Sequence, residues 1–210
     1  VRRAHAGALL VVLAVAAGAG AGACGRGGSE RTTATTTTLR IPDRIELSVF
    51  EQLVVDRVPT GFSVQPDDVG DTGPSDLAKA VRDQGGTSQD REFLVRNGFV
   101  RGYQRLWADA DDNELIVFLY EFEDASGARA QADAVASELQ TTSDVALTRF
   151  QPEGIPGAVG LESVDPDLPG VIVIFTKSGY WGMVRLLRPE TDLARAQAVT
   201  VARDQYERLP

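Results

Sequence analysis

Leu115-Ile116-Val117-Phe118-Leu119-Tyr120-Glu121-Phe122 decides the fold, seconded by Val171-Ile172-Val173-Ile174-Phe175. Both runs are rich in β-branched and aromatic residues, which suit a pleated surface. Neither alternates apolar with polar, as a sheet with one wet face does. Near-continuous apolar strands are covered on both faces. The flanking sequence supplies the cover. Phe99 to Trp107 reads as a strand that turns through Asp109 to Asn113 into the first run, and a helix from Ala125 to Gln140 follows it. The second run turns through Lys177-Ser178-Gly179 into Tyr180 to Leu187, and a last helix covers Asp192 to Leu209.

The two units share a word. ARAQA stands at Ala128 to Ala132 and again at Ala194 to Ala198. The same offset carries Val135 onto Val201, Ala136 onto Ala202, and Leu115–Phe122 onto Trp181–Arg188. The small residues recur at i, i+4, i+7 and i+8, which is one helical face. The expected fold is α+β: a mainly antiparallel sheet with helices on both faces, containing two β-hairpin-plus-helix repeats. The two long helices are expected on one side and shorter N-terminal helices on the other.

Those shorter elements are read from caps and stripes. Leu47, Phe50, Leu53 and Val54 form a helical stripe within Ile45 to Arg57, although Val54-Val55 leaves a strand open. Phe62 to Gln65 suits a short strand, and Asp71-Thr72-Gly73-Pro74 a polar loop. Ser75 suits a helix cap with Leu77, Ala80 and Val81 turned inward. Asp90 to Asn97 reads as a helix closed by Gly98. Val145 to Phe150 and Ala158 to Val164 are further strands.

Ahead of this domain lies a different kind of sequence. Arg2 and Arg3 precede an uncharged apolar run from Ala6 to Ala23, and Ala21-Gly22-Ala23 lead into Cys24, the sole cysteine. Positive charge stays at the cytoplasmic face, the apolar run enters the bilayer, and small residues fit a peptidase cleft. Three outcomes are open: a lipoprotein signal, a secretory signal cut after A-x-A, or a helix near the lower length limit for spanning. Ala21 to Cys24 resembles a lipobox, which implies cleavage before Cys24 and diacylglyceryl (palmitate) modification of its thiol. Two acyl chains suffice for stable attachment. Two lysines against nineteen arginines and an opening Val1, read as a GTG start, resemble actinobacterial lipoproteins. The domain pattern is also similar to the PsbP-like fold of some secreted actinobacterial lipoproteins. The expected division is a signal peptide over 1–23, a lipidated Cys24 and Thr-rich tether over 24–40, and one α+β domain over 41–210. Residues 25–40 carry no large apolar residue before Leu39 and cannot offset ordering entropy.

Composition excludes several chemistries. The formal charge is −9, and becomes −11 when Arg2 and Arg3 leave with the leader, which argues against nucleic acid as a partner. His5, the one histidine, lies in the leader. After Cys24 there is neither imidazole nor thiol, so Ser-His-Asp and Cys-His catalysis and His/Cys zinc sites are excluded. No catalytic residue, metal or cofactor is expected. The Asp109 to Glu114 turn has clustered oxygens but fails the calcium-loop pattern, with Glu114 where glycine is needed and Tyr120 where glutamate is needed.

One strip remains as a candidate site. Phe99, Arg101, Tyr103, Arg105 and Trp107 share one face at period two. Arg101, Tyr103, Arg105 and Trp107 are the candidate ligand-binding residues, through guanidinium hydrogen bonds and ring stacking. The competing reading has the arginines lying over the rings and reaching solvent. Tyr180 and Trp181 could extend the patch. The expected role is a non-enzymatic ligand-binding or protein-interaction module on the outer face of the cytoplasmic membrane. Its partners are the membrane, through the anchor, and an envelope glycan, lipid or membrane protein. The alternative is a carboxylate-dependent hydrolase of envelope polysaccharide, needing two acidic groups at a set separation.

Overall fold

The computed structural model describes residues 47–66, 72–142, 145–165, 167 and 169–210. The leader, Cys24, the tether and the first residues of the expected domain lie outside the described residues. In chain order the elements are helix α1 (Leu47–Gln52), strands β1 (Ser63–Val64) and β2 (Gly73–Ser75), and helices α2 (Leu77–Asp83) and α3 (Ser88–Arg96). Then follow β3 (Phe99–Ala108), β4 (Glu114–Phe122), α4 (Ala125–Thr142), β5 (Leu147–Phe150), β6 (Val159–Ser163), β7 (Val171–Lys177), β8 (Tyr180–Leu187) and α5 (Thr191–Arg208).

The strands form one eight-stranded antiparallel sheet in the order β1-β3-β4-β8-β7-β6-β5, with β2 beside β3 on the edge that β1 also occupies. Its centre is the pair β4 and β8, where Val117 faces Val184 and Phe118 faces Met183. The strands flanking that pair, β3 and β7, are the outer arms of the two hairpins. The fold is therefore α+β with helices on both faces, and both hairpin-plus-helix units are present.

The offset between the two ARAQA words carries α4 onto α5 end to end, 18 residues each. The long helices nevertheless lie on opposite faces, not on one. Ala194, Ala198, Val201 and Ala202 of α5 pack with Leu115, Val117, Val173, Val184 and Leu186, joined by Phe50, Val54 and Val55. Ala128, Val135, Ala136 and Leu139 of α4 pack with Tyr120, Phe122, Ile174, Trp181 and Met183, joined by Ala80 and Leu94 of α2 and α3. Register is the cause. In β4 the residue turned to the helix is Tyr120, and its counterpart under the same offset is Leu186. Tyr120 pairs with Trp181, so Leu186, five positions further along, points to the other face. Each strand thus holds the same relation to its own helix. Viewed with the helix toward the observer, β3 and β7 lie on opposite sides of their strands, so the equivalence spans strand and helix but not the outer arm.

The short elements differ more from expectation. Gly73 and Pro74 belong to β2, not to a loop; an edge strand tolerates proline because one side of its ladder is unused. Ser75 ends that strand, and the cap of α2 is Asp76, which accepts the N–H of Lys79 at 2.8 Å. Helix α3 begins two residues early, because Thr87 and Asp90 form a reciprocal capping box. Helix α2 is held to the sheet by a buried network. Lys79 Nζ donates to Asp83 at 3.0 Å and to Gln104 at 3.1 Å, and the Tyr120 hydroxyl donates to Asp83 at 3.0 Å. Burial, then the Asp83 carboxylate, pushes the Tyr120 hydroxyl well above its usual range and keeps it a donor.

Candidate functional site

The β3 strip follows period two only from Arg101 onward. A register shift between Phe99 and Arg101 turns Phe99 to the opposite face, where its ring meets Tyr120 edge-on at 5.2 Å. The other four residues lie under α1. Tyr103 and Trp107 are buried, at 4% and 3% exposure, and the Arg101 and Arg105 side chains are 12% and 16% exposed. Arg101 Nε donates to Glu121 at 2.6 Å, and its guanidinium lies 4.6 Å over the Phe50 ring. Arg105 donates to Glu51 at 2.6 Å and lies 5.1 Å from the centre of the Tyr103 ring. The Tyr103 hydroxyl donates to the same Glu51 oxygen at 2.9 Å. Tyr180 extends this face, hydrogen-bonded to Glu121 at 3.5 Å and stacked near Phe50, whereas Trp181 points to the other face. Burial raises the hydroxyl pKa of both Tyr103 and Tyr180. An anion approaching either guanidinium meets Glu51 or Glu121 already in place. In this arrangement the strip and α1 form one paired unit.

The Asp109 turn is also satisfied internally. Its carboxylate accepts the backbone N–H groups of Asp111 and Asn113 at 2.9 and 3.0 Å and the Asn113 side-chain amide at 2.8 Å. Among the described residues no group of three or more His, Cys, Asp or Glu is placed to hold a metal ion.

Two concavities stand out among the described residues. The larger, about 520 Å³, lies between the start of α4, the end of β7 and the last turns of α5, with Arg129, Asp133, Ile174, Phe175, Lys177 and Tyr206 on its walls. It exists because β6 stops short. Pairing between β6 and β7 ends at Val159 and Ile174, while β7 runs on to Lys177, paired only with β8. Pro156 and Gly157 turn the chain away, Gly157 with a left-handed φ of 71°. No periodicity signals such a notch; only the Pro-Gly pair hints at it. The second concavity, about 360 Å³, carries Thr148, Glu162, Ser163, Asp165, Thr191 and Arg195, with Glu162 ion-paired to Arg195.

The first turn of α4, one wall of the larger cleft, is fixed by Asp124. Its carboxylate accepts the N–H groups of Ser126 and Gly127 at 2.8 and 3.0 Å and the Ser126 hydroxyl at 2.5 Å. The Ser126 hydrogen bond is the largest cause holding the Asp124 pKa below its ordinary 3.8. Asn113 does the same for Asp109, and Arg188 lowers Glu190 from 4.5. A depressed folded-state pKa stabilises above the unfolded value, and that stability is lost as pH falls through the folded value. Urea midpoints should therefore hold steady down to about pH 5 and fall toward about pH 3. Asp124→Asn keeps a capping oxygen but cannot titrate, so it should flatten part of that decline. An equal decline in this variant would remove Asp124 from the account.

No protein-family model matches the chain, and no curated protein matches it. Among solved structures the chain is similar to the extracellular domain of PknH from Mycobacterium tuberculosis. Identity is 11%, the TM-score is 0.42, and the match covers 74% of this chain and 81% of that one. No helix among the described residues is long and apolar enough to cross a membrane.

Proposed function

We propose that the chain is a cell-envelope lipoprotein, cleaved ahead of Cys24 and held by its lipid on the outer face of the cytoplasmic membrane. There the domain acts as a non-enzymatic ligand-binding or protein-interaction module. One observation carries this reading: the sole cysteine directly follows Ala21-Gly22-Ala23 and an uncharged apolar run, and precedes a polar tether. One feature supports a binding role: the larger cleft has both apolar and polar walls, at a volume common among small-molecule sites. Hydrolysis of envelope polysaccharide is the second reading, and its place would be the smaller groove, where Glu162 and Asp165 stand together. There Glu162 is ion-paired to Arg195, which commits its carboxylate to a guanidinium.

Mass spectrometry of the native N-terminus tests the anchor. The expected result is a chain beginning at Cys24 with a thioether-linked diacylglyceryl group, and no lipid mass on Cys24→Ala. Recovery of unmodified chain still bearing Val1, or of a free thiol at Cys24 after cleavage, would refute it. Loss of glycan hydrolysis in Glu162→Gln would transfer support to the hydrolase.

A further inference from the structure

We propose that the cleft at the open end of β7 is a binding site for a small amphipathic carboxylate, a monovalent anionic head on an apolar body. The proposal deepens the reading of the domain as a binding module and does not depend on the anchor.

The floor of the cleft is apolar. It straddles the open edge of β7, where Ile174 is buried on the α4 face and Phe175 on the α5 face, the Tyr206 ring meets Phe175 edge-on at 6.0 Å, and Val159 and Ala132 close the sides. Its rim is cationic. Lys177 Nζ donates to the backbone carbonyls of Tyr206 at 3.3 Å and Leu209 at 2.5 Å, and stands 5.1 Å from the centre of the Tyr206 ring. Those partners are neutral, so they fix the ammonium without cancelling its charge. Arg129 is exposed on α4 and makes no hydrogen bond or ion pair with the described residues. A guanidinium that no described residue engages is a fork suited to a carboxylate.

Charge selects the head group. Arg129 and Lys177 bring two positive charges and Asp133 one negative, which leaves the lining one positive charge in excess. That balance matches a carboxylate better than a phosphomonoester dianion. Volume selects the body. About 520 Å³ holds a fatty or aromatic acid of modest length, and the apolar floor gives its chain a place to leave water. The protein is acidic overall, so long-range attraction does not gather anions here. Recognition is local and short-ranged, and salt should weaken it only modestly.

The test uses octanoate as the probe and the ¹⁵N-labelled full chain kept unlipidated by Cys24→Ala. Saturable amide shifts are expected around Arg129, Thr176 and Ser178. Arg129→Ala should weaken binding by about 10- to 100-fold, the range of a charge-assisted hydrogen bond. Arg129 is exposed, so unchanged shifts elsewhere will show that this variant still folds. Ala132→Leu, which narrows the cleft from the α4 side, should also abolish binding, and octanol should bind at least about tenfold more weakly than octanoate. Three results would overturn the proposal: no saturation by octanoate, equal binding in Arg129→Ala, or tighter binding of octyl phosphate. Shifts clustered at the Glu162–Arg195 groove would also overturn it, yet leave the domain a binding module. Failure of that broader reading would show instead as no retained ligand or partner in membrane pull-downs.

Discussion

Gln205→Met is expected to lower the unfolding free energy by about 2 to 6 kcal/mol, two backbone groups being orphaned at about 1 to 3 kcal/mol each. Gln205 is fully buried on α5. Its side-chain oxygen accepts the Val55 N–H at 2.8 Å, and its side-chain amide donates to the Leu53 carbonyl at 2.8 Å. Methionine matches the volume, so little cavity forms and the loss is that of the two hydrogen bonds. The neighbouring Arg208 reaches the Val54 carbonyl at 3.2 Å and pairs with Asp56. The end of α5 thereby clamps residues 53–56, some 150 positions earlier in the chain. That clamp also sets α1, which brings Phe50 and Glu51 onto the β3 strip. Urea unfolding gives the energy, and amide exchange should show residues 50–56 opening first. A variant as stable as the parent would mean that water replaces both hydrogen bonds and that the clamp is dispensable.

The same residues show where sequence was sufficient and where it was not. LIVFLYEF and VIVIF announce strands buried on both faces because period and composition are local properties of those residues. The repeated helix is local too, and both copies have the bounds that the ARAQA offset requires. Their opposite placement depends on Tyr120 standing across from Trp181. That pairing joins strands with α4, β5, β6 and β7 between them in the chain, so no window of sequence contains it. Helix α1 is shorter than its stripe because residues 53–55 leave the helix, Leu53 and Val55 to be bound by Gln205 and Val54 by Arg208. Gly73-Pro74 looks like a turn by composition and becomes a strand through β3. On the strip, alternation correctly groups Arg101, Tyr103, Arg105 and Trp107. It fails at Phe99, where one extra residue in the ladder reverses the face. Nor could alternation show that Glu51 comes to cover the strip. The cleft is the least legible feature, since it arises from one strand ending before its neighbour.

Gly127→Ala should destabilise the protein by about 2 kcal/mol net, although alanine is the better helix former by about 1 kcal/mol. Gly127 lies in the first turn of α4, and a β-carbon there would sit 2.0 Å from the Asn97 carbonyl oxygen. That distance is far inside van der Waals contact, so the helix or the turn has to move. The turn resists, because the carbonyl of the next residue, Gly98, already accepts the Glu123 N–H at 2.8 Å, and Gly98 holds a left-handed φ of 71°. The helix resists through the Asp124 cap and through Ala128, which is buried against the sheet. Overpacking of a rigid site costs about 1 to 3 kcal/mol, and a backbone oxygen with no rotamer to change belongs at the upper end. That cost exceeds the gain in helix propensity, which fixes the sign. Ser137→Ala, exposed on the same helix, is the control and should stabilise by a few tenths of a kcal/mol at about the propensity difference. Urea midpoints for the two variants should move in opposite directions. A Gly127→Ala midpoint at or above that of the parent would show that α4 and the α3–β3 turn do not meet as described. The displaced first turn also forms one wall of the β7 cleft, so octanoate binding should weaken in the same variant.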